Sequence, residues 1–134
     1  QTCALPISGA GPLSDTARVI VPSAARELGE AVMWRRGPST GTRFLMTADP
    51  RFMRNERVRL EIATAKGGAA EARLLDSLGK ALPVPVTTSE RQDESGEFRW
   101  VGAEVALAPL GFGSYAIEVS VGDAKAVTAF TVIP

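Results

Sequence analysis

Leu107-Ala-Pro109-Leu-Gly111-Phe-Gly113-Ser-Tyr115-Ala-Ile117-Glu-Val119 decides the fold of this 134-residue chain. Pro109 stops the apolar strand that ends at Leu107. Gly111 and Gly113 supply a corner, and Tyr115 opens a run in which apolar and polar residues alternate. In β-sandwiches such a corner joins the two sheets, and the tyrosine hydroxyl bonds back to backbone a few residues upstream. Tyr115 and Pro109 are therefore assigned structural roles.

Working outward, period-2 alternation and turn signals mark further strands. Arg43 to Met46 is a first strand, ended near Asp49-Pro50. Arg57 to Thr64 is a second, with Val58, Leu60 and Ile62 facing inward. Lys66-Gly67-Gly68 turns the chain into a third strand, Ala70 to Asp76, and Ser77-Leu-Gly79-Lys80 makes a tight connection. Leu82-Pro-Val84-Pro-Val86 alternates, but its prolines lack ladder donors and confine it to a sheet edge. Ser89 to Gly96 reads as a polar loop. Phe98 to Leu107, Tyr115 to Val121 and Val127 to Ile133 complete about seven strands, the last two joined across Gly122-Asp123. No connection is long enough for the helical crossover that a parallel sheet requires. The expected fold is all-β: an immunoglobulin-like or fibronectin III-like antiparallel sandwich, with Ile117 where antibody domains carry their second cysteine. Trp34 and Trp100 are expected to be structural, as are most of the other aromatics.

The sandwich is expected over residues 42–134, preceded over 8–41 by a linker and extension with one or two short strands. Ala17-Arg-Val19-Ile-Val21 is β-prone, Ser23 to Leu28 could form helical turns closed by Gly29, and Ala31-Val-Met-Trp34 is extended. Gln1-Thr-Cys-Ala-Leu-Pro-Ile7 resembles a frame translation of a short-read sequencing adapter. Residues 1–7 are accordingly expected to be non-native, and the chain a metagenomic fragment lacking its true start. Cys3 is the sole cysteine and there is no histidine. The remainder thus offers no disulfide, no common zinc site and no histidine-dependent triad.

Fifteen basic and fifteen acidic residues cancel, so net charge gives no support for nucleic acid or membrane binding. No apolar run approaches the roughly 18 residues of a membrane helix. Charge is nevertheless uneven. Seven arginines from Arg35 to Arg59 face only Asp49 and Glu56, a local balance of +5. Much of this band alternates with Val58, Leu60 and Ile62, as the wet face of a strand does. Arg35, Arg36, Arg51, Arg54 and Arg57 form the candidate interaction surface.

Fragments of active-site vocabulary fail on context. Ser77-Leu-Gly-Lys80 matches the S-x-x-K of serine acylases, which must open a helix, whereas here it follows a strand. Gly37-Pro-Ser-Thr-Gly41-Thr lacks the lysine and spacing of a phosphate loop. Glu90, Asp93, Glu94 and Glu97 lie in a polar stretch without the burial that raises a catalytic carboxyl or the spacing of a calcium loop. No catalytic, metal or cofactor residue is assigned.

Trp34-Arg-Arg-Gly37-Pro38, Thr47-Ala-Asp49-Pro50-Arg51-Phe52, Arg54-Asn-Glu56-Arg57, Ala72-Arg73-Leu74-Leu75-Asp76, Leu82-Pro-Val84-Pro-Val86, Leu107-Ala-Pro109-Leu110, Tyr115 and Ala129-Phe130-Thr-Val132-Ile-Pro134 together carry a family resemblance. The pattern resembles the C-terminal region of acidobacterial proteins related to the von Willebrand factor A domain, over roughly residues 30–134. The resemblance implies an exported or cell-envelope protein whose A domain lies upstream. The A domain's D-x-S-x-S metal motif has only the echo Asp93-Glu-Ser95-Gly-Glu97, so no metal role transfers. The expected function is a non-catalytic spacer or docking module whose partner is that upstream domain or another protein, without nucleic acid or membrane insertion. The alternative is a carbohydrate- or small-ligand-binding module using loop-end aromatics such as Phe52 and Phe112.

Overall fold

The computed structural model describes residues 27–134, together with the short strands β1 (Thr2–Cys3) and β2 (Val19–Ile20), which pair antiparallel. The linker of residues 8–14 and residues 23–26 of the expected helical turns lie outside the described residues. The rest is all-β. Two five-stranded sheets enclose one apolar core. Sheet I has the order β4 (Leu45–Met46), β3 (Ala31–Arg36), β6 (Arg57–Thr64), β10 (Arg99–Ala106), β9 (Thr87–Gln92). Sheet II has the order β5 (Arg51–Met53), β12 (Ala124–Ile133), β11 (Gly113–Val121), β7 (Ala70–Leu75), β8 (Ala81–Leu82).

The layers follow from alternation. Val58, Leu60 and Ile62 of β6 and Val101, Ala103 and Val105 of β10 are buried, and they pair Val101 with Ile62, Ala103 with Leu60 and Val105 with Val58. They face Leu74, Ile117, Val119, Val121, Phe130 and Val132 of sheet II in a single cluster. A fully buried side chain of this size is worth about 1.5–3 kcal/mol, which makes this cluster the main source of stability. Phe130 anchors it: Phe52 meets its ring edge-on at 6.0 Å and Tyr115 stacks on it at 5.9 Å. The Tyr115 hydroxyl donates to the Gly111 carbonyl at 2.9 Å, closing the corner as the sequence predicts. Leu110 N–H donates to the Leu107 carbonyl, so Pro109 sits inside a closed turn.

Several expectations are corrected. The sandwich has ten strands rather than about seven, and the division at residue 41/42 cuts through sheet I. Ala31–Arg36, assigned to the extension, is an inner strand paired along β6 from Ala31↔Ile62 to Arg36↔Arg57. The strand expected from Arg43 shrinks to Leu45–Met46. The ladders are not all antiparallel, since β5 runs parallel to β12.

Leu82 to Val86 is not one edge strand. Ala81–Leu82 pairs with β7, and residues 83–86 then carry the chain from sheet II to sheet I. Pro83 and Pro85, without N–H groups, suit a crossing that no ladder accompanies; Val84 and Val86 tuck against the core. The first half of the polar loop expected from Ser89 to Gly96 is instead the end of strand β9, and residues 93–96 form its closing turn. The residues of β9 are all exposed, so no apolar alternation marks it.

Candidate interaction surface

The two ends of the sandwich differ. At one end, Lys66 Nζ lies 3.1 Å from Glu27 Oε1 and 2.9 Å from Asp123 Oδ1, tying the start of the described domain to the β11–β12 hairpin. Thr64 Oγ1 also donates to the Glu27 carbonyl. The Lys66 ammonium lowers the pKa of Asp123 through a direct hydrogen bond, and Asp123 and Glu27 together raise that of Lys66. From this end β12 runs ten residues to Ile133, about 30 Å at strand rise.

The five predicted arginines gather at the opposite end. Arg36 and Arg57 are cross-strand partners, Arg51 pairs with Thr131, and Arg54 donates to the Ala108 carbonyl at 2.7 Å. Most are engaged by their own fold. Arg35 lies 4.7 Å above the Phe52 ring, 3.4 Å from Glu56, and donates to the Arg51 carbonyl. Arg36 stacks over Phe44 at 5.0 Å. Arg51 forms a two-pronged bond to Asp49, at 3.0 and 3.2 Å, which holds the Asp49 carboxyl below its ordinary range. Arg57 meets Glu104 at 3.0 Å.

The outer face of sheet I continues this network. Arg59 reaches Ser89 at 3.0 Å and lies within 4 Å of both Glu61 and Glu104. Arg91 contacts Glu61 at 3.3 Å and covers the Trp100 ring at 5.3 Å, while Trp100 Nε1 donates to Asp93. Trp34 shares the same face, opposite Arg59 and Met46, and both tryptophans are half-buried.

The acylase-like Ser77–Lys80 is a hairpin closed by Asp76, whose N–H donates to the Lys80 carbonyl and whose carboxylate accepts from Leu78 and Lys80. Gly37–Thr40 is a turn capped by Thr40 Oγ1. Asp93 accepts from Ser95 Oγ at 2.7 Å and from Ser95 N–H, and these bonds lower its pKa. A general acid needs the opposite shift. Of the two aromatics proposed for ligand stacking, Phe52 is fully buried and is withdrawn from that role; Phe112 is 61% exposed and stands at the corner. Phe52 went inward because β5 adds to sheet II and alternation turns its middle residue to the core.

Sequence reasoning missed Arg99. It binds Glu90 at 2.5 Å and donates to the Lys66 and Gly68 carbonyls, pinning the β6–β7 crossing to the β9 side of the domain. The only available sign was a charge at an inward-facing position of β10. Among the described residues no cluster of potential metal ligands occurs, and no helix is long and apolar enough to cross a membrane. No family model matches this chain, and neither does any curated protein.

Proposed function

We propose that this chain is a non-catalytic spacer module of immunoglobulin-like type, belonging to an exported protein that also carries a von Willebrand factor A domain. The observation that carries the spacer reading is the separation of Glu27 from Ile133 at opposite ends of the sandwich. A rigid body arranged in this way holds apart whatever is joined at its two ends, and the continuous core shared by both sheets supplies that rigidity. The Tyr115–Gly111 bond supports the immunoglobulin-like assignment. The distributed pattern from Trp34 to Pro134 supports the parent family.

This geometry changes the role expected of the arginines. They cap the end remote from Glu27, so a domain preceding residue 27 meets the Lys66–Asp123 end first. Scattering from the protein with its preceding domain tests the proposal. An extended particle whose maximum dimension is unchanged by Arg51→Glu, Arg54→Glu and Arg57→Glu together supports a spacer. A compact particle that opens on this triple reversal overturns it in favour of the preceding domain docking on the arginines.

A further inference from the structure

Of the four strands at the edges of the two sheets, β9 is the longest, and no described strand pairs beyond it. Asp93 N–H donates to the Phe98 carbonyl. By the alternation of an antiparallel ladder, residues 87, 89 and 91 then bond to β10, while Thr88, Glu90 and Gln92 turn their N–H and C=O groups away from the sheet. Their side chains face inward, because Thr88 and Glu90 sit opposite the core residues Ala103 and Val101. Beside this edge lies an open groove of about 440 Å³, lined by Ala69, Ala70, Thr88, Ser89 and Glu90. Its far wall is Ala69 and Ala70, at the start of β7, which β8 leaves unpaired because it covers only Leu74 and Leu75.

These observations coincide in register. A strand added to β9 would exchange backbone bonds with Thr88 and Glu90, and its residues opposite them would drop their side chains into the groove. Small walls at Ala69 and Ala70 leave room for a branched side chain. The Glu90 carboxylate is held by Arg99, so it need not be solvated by the incoming strand. On the outer face, the added strand would run past Arg91, whose side chain is 58% exposed. Opposite charges directly across two strands attract, so an acidic side chain suits the position facing Arg91.

We propose that the β9 edge and its groove bind an extended peptide strand of a partner protein, with β-branched side chains facing the groove and acidic ones facing Arg91. Backbone bonds would give affinity and the groove selectivity, as in other strand-addition sites. A second copy of the chain fits less well. Every two-fold register that pairs the free groups turns another Glu90 carboxylate into the groove. The proposal is independent of the spacer reading.

The test is a capped hexapeptide alternating valine and glutamate, titrated to 5 mM into the full chain and followed by backbone amide shifts. Saturable shifts at Thr88, Glu90 and Gln92 are expected, with amide protection gained at those residues. Thr88→Pro removes a free donor while sparing the bonds to β10, and Ala69→Trp fills the groove from an exposed position. Each should weaken binding at least tenfold with the remaining spectrum intact. N-methylation of the valines should abolish binding, and lysine in place of glutamate should weaken it. No shift, binding indifferent to N-methylation, protection of these amides in the free chain, or β9-mediated dimerisation would each overturn the proposal.

Discussion

The Arg59 guanidinium crosses directly over Gly102, so that a Cβ built on Gly102 would stand 2.5 Å from Arg59 Nη2 and 2.6 Å from Ser89 Oγ. Gly102 is buried on β10, between β6 and β9 of sheet I, and its missing side chain is the slot through which Arg59 crosses to Ser89. Glycine normally weakens a strand interior, and it persists where another group approaches closely.

Filling that slot should cost stability in proportion to size. Gly102→Ala is expected to lose about 1 kcal/mol and Gly102→Val about 2–3 kcal/mol, within the range for overpacking. Arg59→Ala should recover part of the Gly102→Ala loss, because the arginine end can be removed while Ser89 remains. Urea unfolding of the four proteins of this cycle measures the coupling; strict additivity would show that the two residues do not meet.

The Tyr115 corner separates hydroxyl from ring. Tyr115→Phe removes one bond to the Gly111 carbonyl and should lower stability by about 1 kcal/mol. Tyr115→Ala also removes the stack on Phe130 and should cost about 3 kcal/mol or more. An unchanged urea midpoint for Tyr115→Phe would mean that the bond does not hold the corner.

Phe52 and Phe112 should behave oppositely. Phe52→Ala leaves a cavity beside Phe130 and beneath Arg35, for an expected loss of about 3–5 kcal/mol. Phe112→Ala, at an exposed position, should stay within about 0.5 kcal/mol. Thermal or urea unfolding reads both; a large loss from Phe112→Ala would show it to be a core residue.

The Lys66–Asp123 link sets two pH limbs. The Asp123 pKa is lowered in the fold from an ordinary 3.8, so its contribution is present above that value and is lost as pH falls through the depressed one. The Lys66 pKa is raised from an ordinary 10.5, so its contribution is complete below that value and is lost as pH rises through the raised one. Without histidine, melting temperature should be nearly flat from about pH 5 to 9. Lys66→Met should lower this plateau and weaken its alkaline limb, as melting at stepped pH would reveal.

Much of the core was legible locally. Alternation in β6 assigned Val58, Leu60 and Ile62 to the interior because a strand turns every second side chain to the same side. Corner and hairpin chemistry at Pro109–Tyr115, Ser77–Lys80 and Gly122–Asp123 was legible for a similar reason: turns need particular backbone angles, and Gly79 and Gly122 adopt positive φ. β9 was illegible because an edge strand held by β10 on one side needs no apolar face of its own. The prolines after Leu82 suggested an edge, but whether a strand continues or crosses to the other sheet depends on which neighbour pairs with it.

An all-β chain, with alternating strands that bury one face and a tyrosine that closes a corner, is written in the local order of residues. Those properties arise within a few residues, from side-chain direction and turn angles. It took the assembled fold to place Phe52 in the core, to tie Arg35 to Glu56 and Arg57 to Glu104, and to set β9 beside an open groove. Each of these depends on residues distant along the chain, because burial, ion pairing and an unpaired edge are properties of what arrives alongside.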